Sequence, residues 1–169
     1  MKHLRFYFLI KINMKYFLTL LLMSFLLISC EGDDDVCVSG EATPRMKIKF
    51  KSADNKQMTL DNIYVDVDYG GTSLVNVVSM AKADSILVPL RVDNNSYTEI
   101  FVRTQEKGAV SKMKISYETQ SKYVSPACGF KREYENVKAV LETPNPVTNV
   151  ELNQNQITNE NKTHLYLVF

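Results

Sequence analysis

The sequence predicts an all-β domain, an antiparallel sandwich of two sheets, and three observations carry that expectation. Apolar and polar side chains alternate at period two in several short segments. A Gly-Gly pair joins two of these segments in the manner of a hairpin. No stretch of the later chain shows the 3.6-residue periodicity of a long amphipathic helix. With 169 residues, 45% of them hydrophobic and 23% charged, the chain suits a single domain and is not of disordered composition.

The elements follow in order from residue 46. Met46, Ile48 and Phe50 alternate with Lys47, Lys49 and Lys51, which puts three apolar side chains on one face of a strand and three ammonium groups in water. Residues 63–69 repeat the alternation, and Gly70-Gly71 offers the positive φ angles of a tight turn into a strand over 73–78. Further strands are predicted over 85–90, 97–103, 112–117, 130–141, 147–152 and 164–169. Turn-forming pieces such as Val92-Asp93-Asn94-Asn95 and Thr143-Pro144-Asn145-Pro146 separate them. Eight or nine short strands in about 125 residues, over a domain spanning 46–169, match an immunoglobulin-like β-sandwich. The chain has no Trp, so the likeness to antibody domains is one of architecture.

Ahead of this domain, residues 16–28 are almost wholly apolar, follow Lys11 and Lys15, and contain no acid. That is the n-region and h-region of a signal peptide over residues 1–29, with Met14 an alternative start. A spanning helix needs about 20 consecutive apolar residues, and Lys11, Asn13 and Lys15 interrupt any longer run. The run ends in Leu27-Ile28-Ser29-Cys30, which resembles the lipobox of bacterial lipoproteins. The resemblance implies that Cys30 becomes the first mature residue and is acylated. Two or three acyl chains, at roughly 0.8 kcal/mol per buried CH2, hold a protein stably on a membrane.

Glu31, Asp33, Asp34 and Asp35 follow directly and read as a solvated tether within residues 30–45. They also resemble the acidic export signal with which Bacteroidetes lipoproteins reach the cell surface. The expected location is the outer membrane, facing outward or into the periplasm. There the two remaining cysteines, Cys37 and Cys128, are expected to pair in an oxidising compartment. Closing a loop of roughly 92 residues contributes about 4–5 kcal/mol at most on the chain-entropy model. A catalytic thiolate would need a histidine or a helix N-terminus beside it. After processing only His164 remains, and it is expected at the surface or edge of the last strand.

Without residues 1–29 the chain holds 16 basic and 19 acidic residues, so nucleic acid is not an expected partner. Asp66 with Asp68, and Glu133 with Glu135, share strand faces and read as solvated positions rather than acid–base pairs. The sequence lacks a Gly-rich phosphate loop, a nucleophile elbow and a two-His helix. Asp33, Asp34 and Asp35 lack the spaced oxygens of a calcium cage. Neither catalysis nor a metal or other cofactor is expected. Tyr64, Tyr69, Tyr97, Tyr117, Tyr123, Tyr134 and Tyr166 supply aromatic surface, most of it for sheet and core packing. Asp84-Ser85-Ile86 matches the short pattern at which exported Bacteroidetes proteins are O-glycosylated, which makes Ser85 the predicted attachment site.

With Tyr123-Val124-Ser125-Pro126-Ala127-Cys128-Gly129-Phe130 included, the chain resembles a family of small Bacteroidetes lipoproteins grouped as a domain of unknown function. The other segments that agree are Cys30 and Cys37 around the acidic stretch, Thr43-Pro44, residues 84–90 and residues 159–164. The family implies the address and the second cysteine and brings no activity. The expected function is recognition of a protein or glycan by a lipid-anchored module. That would show as an exposed aromatic patch on a strand face or loop end. The alternative is a periplasmic structural or assembly accessory of the outer membrane, which would show as a long, uncharged edge strand.

Overall fold

The computed structural model describes residues 42–126 and 128–169, together with Tyr16. The predicted signal peptide, Cys30, Glu31, Asp33, Asp34, Asp35 and Cys37 lie outside the described residues.

Among the described residues nine strands follow one another: β1 (Met46–Lys51), β2 (Leu60–Asp68), β3 (Val75–Ala83), β4 (Ser85–Val88), β5 (Tyr97–Arg103), β6 (Ser111–Ser125), β7 (Gly129–Thr143), β8 (Asn149–Leu152) and β9 (Leu165–Val168). They form a four-stranded sheet in the order β4-β1-β9-β8 and a five-stranded sheet in the order β3-β2-β5-β6-β7. Every ladder is antiparallel except β1 with β9.

The alternation that predicts the strands also builds the core. Met46, Ile48 and Phe50 of β1 with Leu165 and Leu167 of β9 face Ile63, Val65, Ile100, Val102, Met113 and Ile115 of the larger sheet in one contiguous apolar cluster. Each such side chain contributes about 1.5–3 kcal/mol on burial, and a one-residue slip of register would move the whole set into water. This is a two-sheet sandwich. One lysine of β1 is less free than expected. Lys51 has its ammonium 2.6 Å from Glu151 and 4.2 Å from the centre of the Tyr166 ring.

The first hairpin departs from the expected two-residue turn. β2 ends at Asp68 and β3 begins at Val75, so residues 69–74 make the connection. Gly70 has φ +78°, its N–H donates to Asp68 Oδ1 at 2.6 Å, and a Cβ there would meet the Arg91 guanidinium at 2.7 Å. A bulge at Val65/Asp66 is filled by the Asn76 amide, which donates to Val65 O and Asp66 Oδ1. β3 then runs five residues beyond its predicted end at 78, along an edge where few side chains are buried.

His164 corrects the sequence reading, because it is 2% exposed rather than at the surface. Its Nδ1 accepts the Lys47 N–H at 2.8 Å, its own backbone N–H donates to Lys47 O at 2.9 Å, and its carbonyl accepts the Asn153 N–H at 2.8 Å. The ring thus ties β1 to the start of β9 in its neutral form. Burial, and to a lesser degree the nearby Lys47 charge, hold its pKa below the ordinary value, against the opposing pull of the Asn159 backbone and Glu160. A histidine depressed in the fold binds its proton more readily when unfolded, where it titrates near 6.5. Its contribution is complete above about pH 6.5 and is lost as pH falls toward the folded value. Urea midpoints measured across this window should fall with pH in the parent. The fall should be shallower in His164→Gln.

Candidate binding site at the tip of the long hairpin

β6 and β7 are the longest strands, and half of their ladder outruns the rest of the sheet. β5 pairs with β6 only from Val102↔Ser111 to Tyr97↔Ser116, whereas β6 and β7 remain paired as far as Ser125↔Gly129. Beyond Tyr117 they form a two-stranded ribbon. At its root the register shifts: Tyr117 alone lies opposite Asn136 and Val137, and Asn136 takes a φ of +52° that Asn tolerates well. The extra residue changes the phase of β7, so Tyr134 and Val137 both point into the core.

A polar lock fixes this root. The rings of Tyr117 and Tyr134 meet edge to face with centres 4.9 Å apart. The Tyr134 hydroxyl donates to Arg91 O at 3.2 Å, the Thr98 and Tyr117 hydroxyls share a 2.7 Å hydrogen bond, and Thr98 Oγ1 accepts the Arg91 N–H at 3.0 Å. Burial raises the pKa of both phenols, so they act as neutral hydrogen-bonding groups. The outer edge of β7 is stapled by Tyr134 N–H to Ile157 O at 3.2 Å, by the reverse bond at 2.8 Å, and by Val137 N–H to Asn155 O at 3.0 Å. Nearer the tip, Arg132 N–H donates to Thr43 Oγ1 at 2.9 Å, which lays the start of the domain against the ribbon.

The tip itself is aromatic. Tyr123 and Phe130 are cross-strand partners with ring centres 5.4 Å apart and planes at 69°, and they are 56% and 70% exposed. Such a pair gains about 0.5–1.5 kcal/mol beyond its buried area, but this one leaves most of its apolar surface in water. On the opposite face of the ribbon Glu133 lies 3.1 Å from Lys131 and 3.5 Å from Lys122, which offsets the repulsion of two directly opposed lysines. The sequence reading ends this strand at 117 and so misses the ribbon that makes Tyr123 and Phe130 prominent.

The other predicted site residues are dispersed. Cys128 sits in the turn between the two strands, with its N–H donating to Ser125 Oγ at 3.1 Å; it is disulfide-bonded, and its predicted partner Cys37 is outside the described residues. Ser85 opens β4 at the far edge of the sandwich, half-buried, with its hydroxyl donating to Asp84 Oδ1 at 2.9 Å. Asp66 lies 2.5 Å from Arg103 and 2.8 Å from the Asn76 amide, and Asp68 caps Gly70. Neither member of that pair is an open acid facing a cleft. Tyr64, Tyr69, Tyr97 and Tyr166 are half-buried, and Tyr117 and Tyr134 belong to the core. Among the described residues no group of three or more His, Cys, Asp or Glu is arranged to hold a metal ion.

Fold and site together define a two-sheet β domain that carries a projecting hairpin with aromatic side chains at its end. Residues 62–169 match the model described as "Family of unknown function (DUF6452)", and the chain belongs to that family. The matched region includes all of the larger sheet except the first two residues of β2, and the whole of the long hairpin. Neither a curated protein nor a solved structure matches the chain significantly.

Proposed function

We propose that this protein is a lipid-anchored, immunoglobulin-like sandwich module of the outer membrane that binds a protein or glycan through the tip of its long hairpin. The exposed Tyr123–Phe130 pair is the observation that carries this reading. Two rigid rings held on paired strands give a partner apolar contact at low entropic cost, and Tyr adds a hydrogen-bonding hydroxyl. The sequence supports the address: Leu27-Ile28-Ser29-Cys30 for lipidation of Cys30, and Glu31, Asp33, Asp34 and Asp35 for export of the Bacteroidetes kind. O-glycosylation at Ser85 belongs to the same reading. We further propose the pairing of Cys37 with Cys128. Thr43 lies six residues after Cys37 and Arg132 four residues after Cys128. Their hydrogen bond therefore leaves both cysteines within about 20 Å and about 13 Å of one point along the chain.

Protease shaving of intact cells, with detection of residues 46–169, tests the address. Loss of the domain supports display at the surface; protection until the outer membrane is opened favours the periplasmic alternative. The same protein screened against glycans and extracellular proteins tests the site. Tyr123→Ala and Phe130→Ala should abolish capture while lowering folding stability by no more than about 1.5 kcal/mol, the upper figure for such a ring pair. Binding that survives both substitutions would move the site elsewhere. The periplasmic assembly reading is favoured by a separate observation, the long and nearly uncharged β3 at the edge of the larger sheet.

A further inference from the structure

A second binding surface lies at the side of the sandwich opposite the long hairpin, and it is independent of the aromatic tip. β3 ends the larger sheet and β4 ends the smaller one, and a single residue, Asp84, carries the chain between them. Among the described residues no strand pairs with the outer edge of β3. β3 has nine residues and one charge, Lys82, and its Val75 and Met80 are 46% and 48% exposed. A native edge of this length is ordinarily blunted by charge, proline or cover. Between the two edges runs a groove of about 470 Å³. Its apolar wall is Val77, Val78, Met80, Ile86 and Leu87, and its charged lining consists of Arg45 and Lys47, with no acid.

We infer that this groove takes an extended, acidic segment of a partner protein, added as a strand along β3. Backbone hydrogen bonds to an open edge supply sequence-independent affinity, and alternate side chains supply specificity. A strand laid beside β3 would place one set of side chains on the inward face of the sheet, beside the exposed Met80, so that set must be apolar. The other set would run past Lys47, whose ammonium makes no ion pair among the described residues, and past Arg45, which Glu160 already engages. Among the described residues the Lys47 ammonium is left without a carboxylate, and this selects acids for that set. A second copy of this chain fits less well, since pairing β3 with β3 would bring no acid to the groove.

The test uses the full-length chain in detergent and two fluorescent peptides matched in length to β3, one alternating Val with Glu, the other Val with Lys. The acidic peptide should bind saturably and slow hydrogen exchange at amides within 75–83; the basic one should not bind. Val77→Lys and Lys47→Glu should each weaken binding by about tenfold or more, and Phe130→Ala should leave it unchanged. Should Val77→Lys fail to fold, Lys47→Glu decides. Four results would overturn the inference. These are no binding of the acidic peptide, equal binding of both peptides, protection outside 75–83, or a dimeric free protein whose β3 amides are already protected.

Discussion

Replacing Tyr134 by Ala is expected to cost about 3–5 kcal/mol of folding stability. The side chain is fully buried at the point where the ribbon leaves the sandwich, edge to face with Tyr117 and bonded to Arg91 O. Truncation removes the ring, leaves a cavity between the sheets, and takes a partner from a carbonyl that holds the 89–96 connection in place. Tyr134→Phe separates these effects. It keeps the ring and loses only the hydroxyl, at a cost of about 1 kcal/mol. Urea unfolding measures both, and an Ala variant within 1 kcal/mol of the parent would contradict the packing described. The backbone of Tyr134 also carries the staple to Ile157. Trypsin should therefore cut at Lys122 and Lys131 faster in the Ala variant than in the parent.

The second large effect belongs to the proposed Cys37–Cys128 bond. Cys37→Ser opens a loop of roughly 92 residues and is expected to cost up to about 4–5 kcal/mol, the full figure of the chain-entropy model. Cys128→Ser should cost the same. The double variant should be no less stable than either single one, because all three lose one and the same bond. Additive losses would refute the pairing, as would recovery of either cysteine as a free thiol in peptides mapped without reductant. The tip should respond as well. Freed from Cys37, the turn around Cys128 loses its covalent tie to the start of the chain, and hydrogen exchange there should quicken.

The parts of the fold that are legible in the sequence are those whose alternation is enforced on both sides. β5 is read to the residue, 97–103, since Thr98, Ile100 and Val102 point into the core from the middle of a sheet. β1 is equally plain. β6 is read short because its distal half gains hydrogen bonds from β7 but no core, so no apolar period marks it. β7 hides its phase behind one residue: with Asn136 bulged, the inward positions Tyr134 and Val137 are three apart, a spacing that belongs to neither strand nor helix. His164 is misplaced for another reason. Its ring nitrogen bonds to the backbone of Lys47, 117 residues earlier in the chain, and no local pattern carries that information. The aromatic tip is half legible. Tyr123 stands among the aromatic residues noted in the sequence, yet its exposure and that of Phe130 follow from β5 stopping short of them.

The parallel ladder between β1 and β9 has a consequence for how the chain comes together. The first strand of the domain lies between β4 and β9, and Phe169 N–H, just past β9, bonds to Lys51 O. A chain delivered from its N-terminus, whether from a ribosome or through a membrane pore, can complete the hairpins of the larger sheet as they emerge. The smaller sheet must wait for its final residues. Contacts at such sequence separation form slowly, because loop-closure entropy is lost before they reward it. Until then β4 and β1 would stand as a two-stranded sheet whose β1 edge, which β9 takes, is unpaired. The smaller sheet therefore closes last, where β1 meets β9, and removal of residues 165–169 would leave a chain able to begin folding and unable to finish.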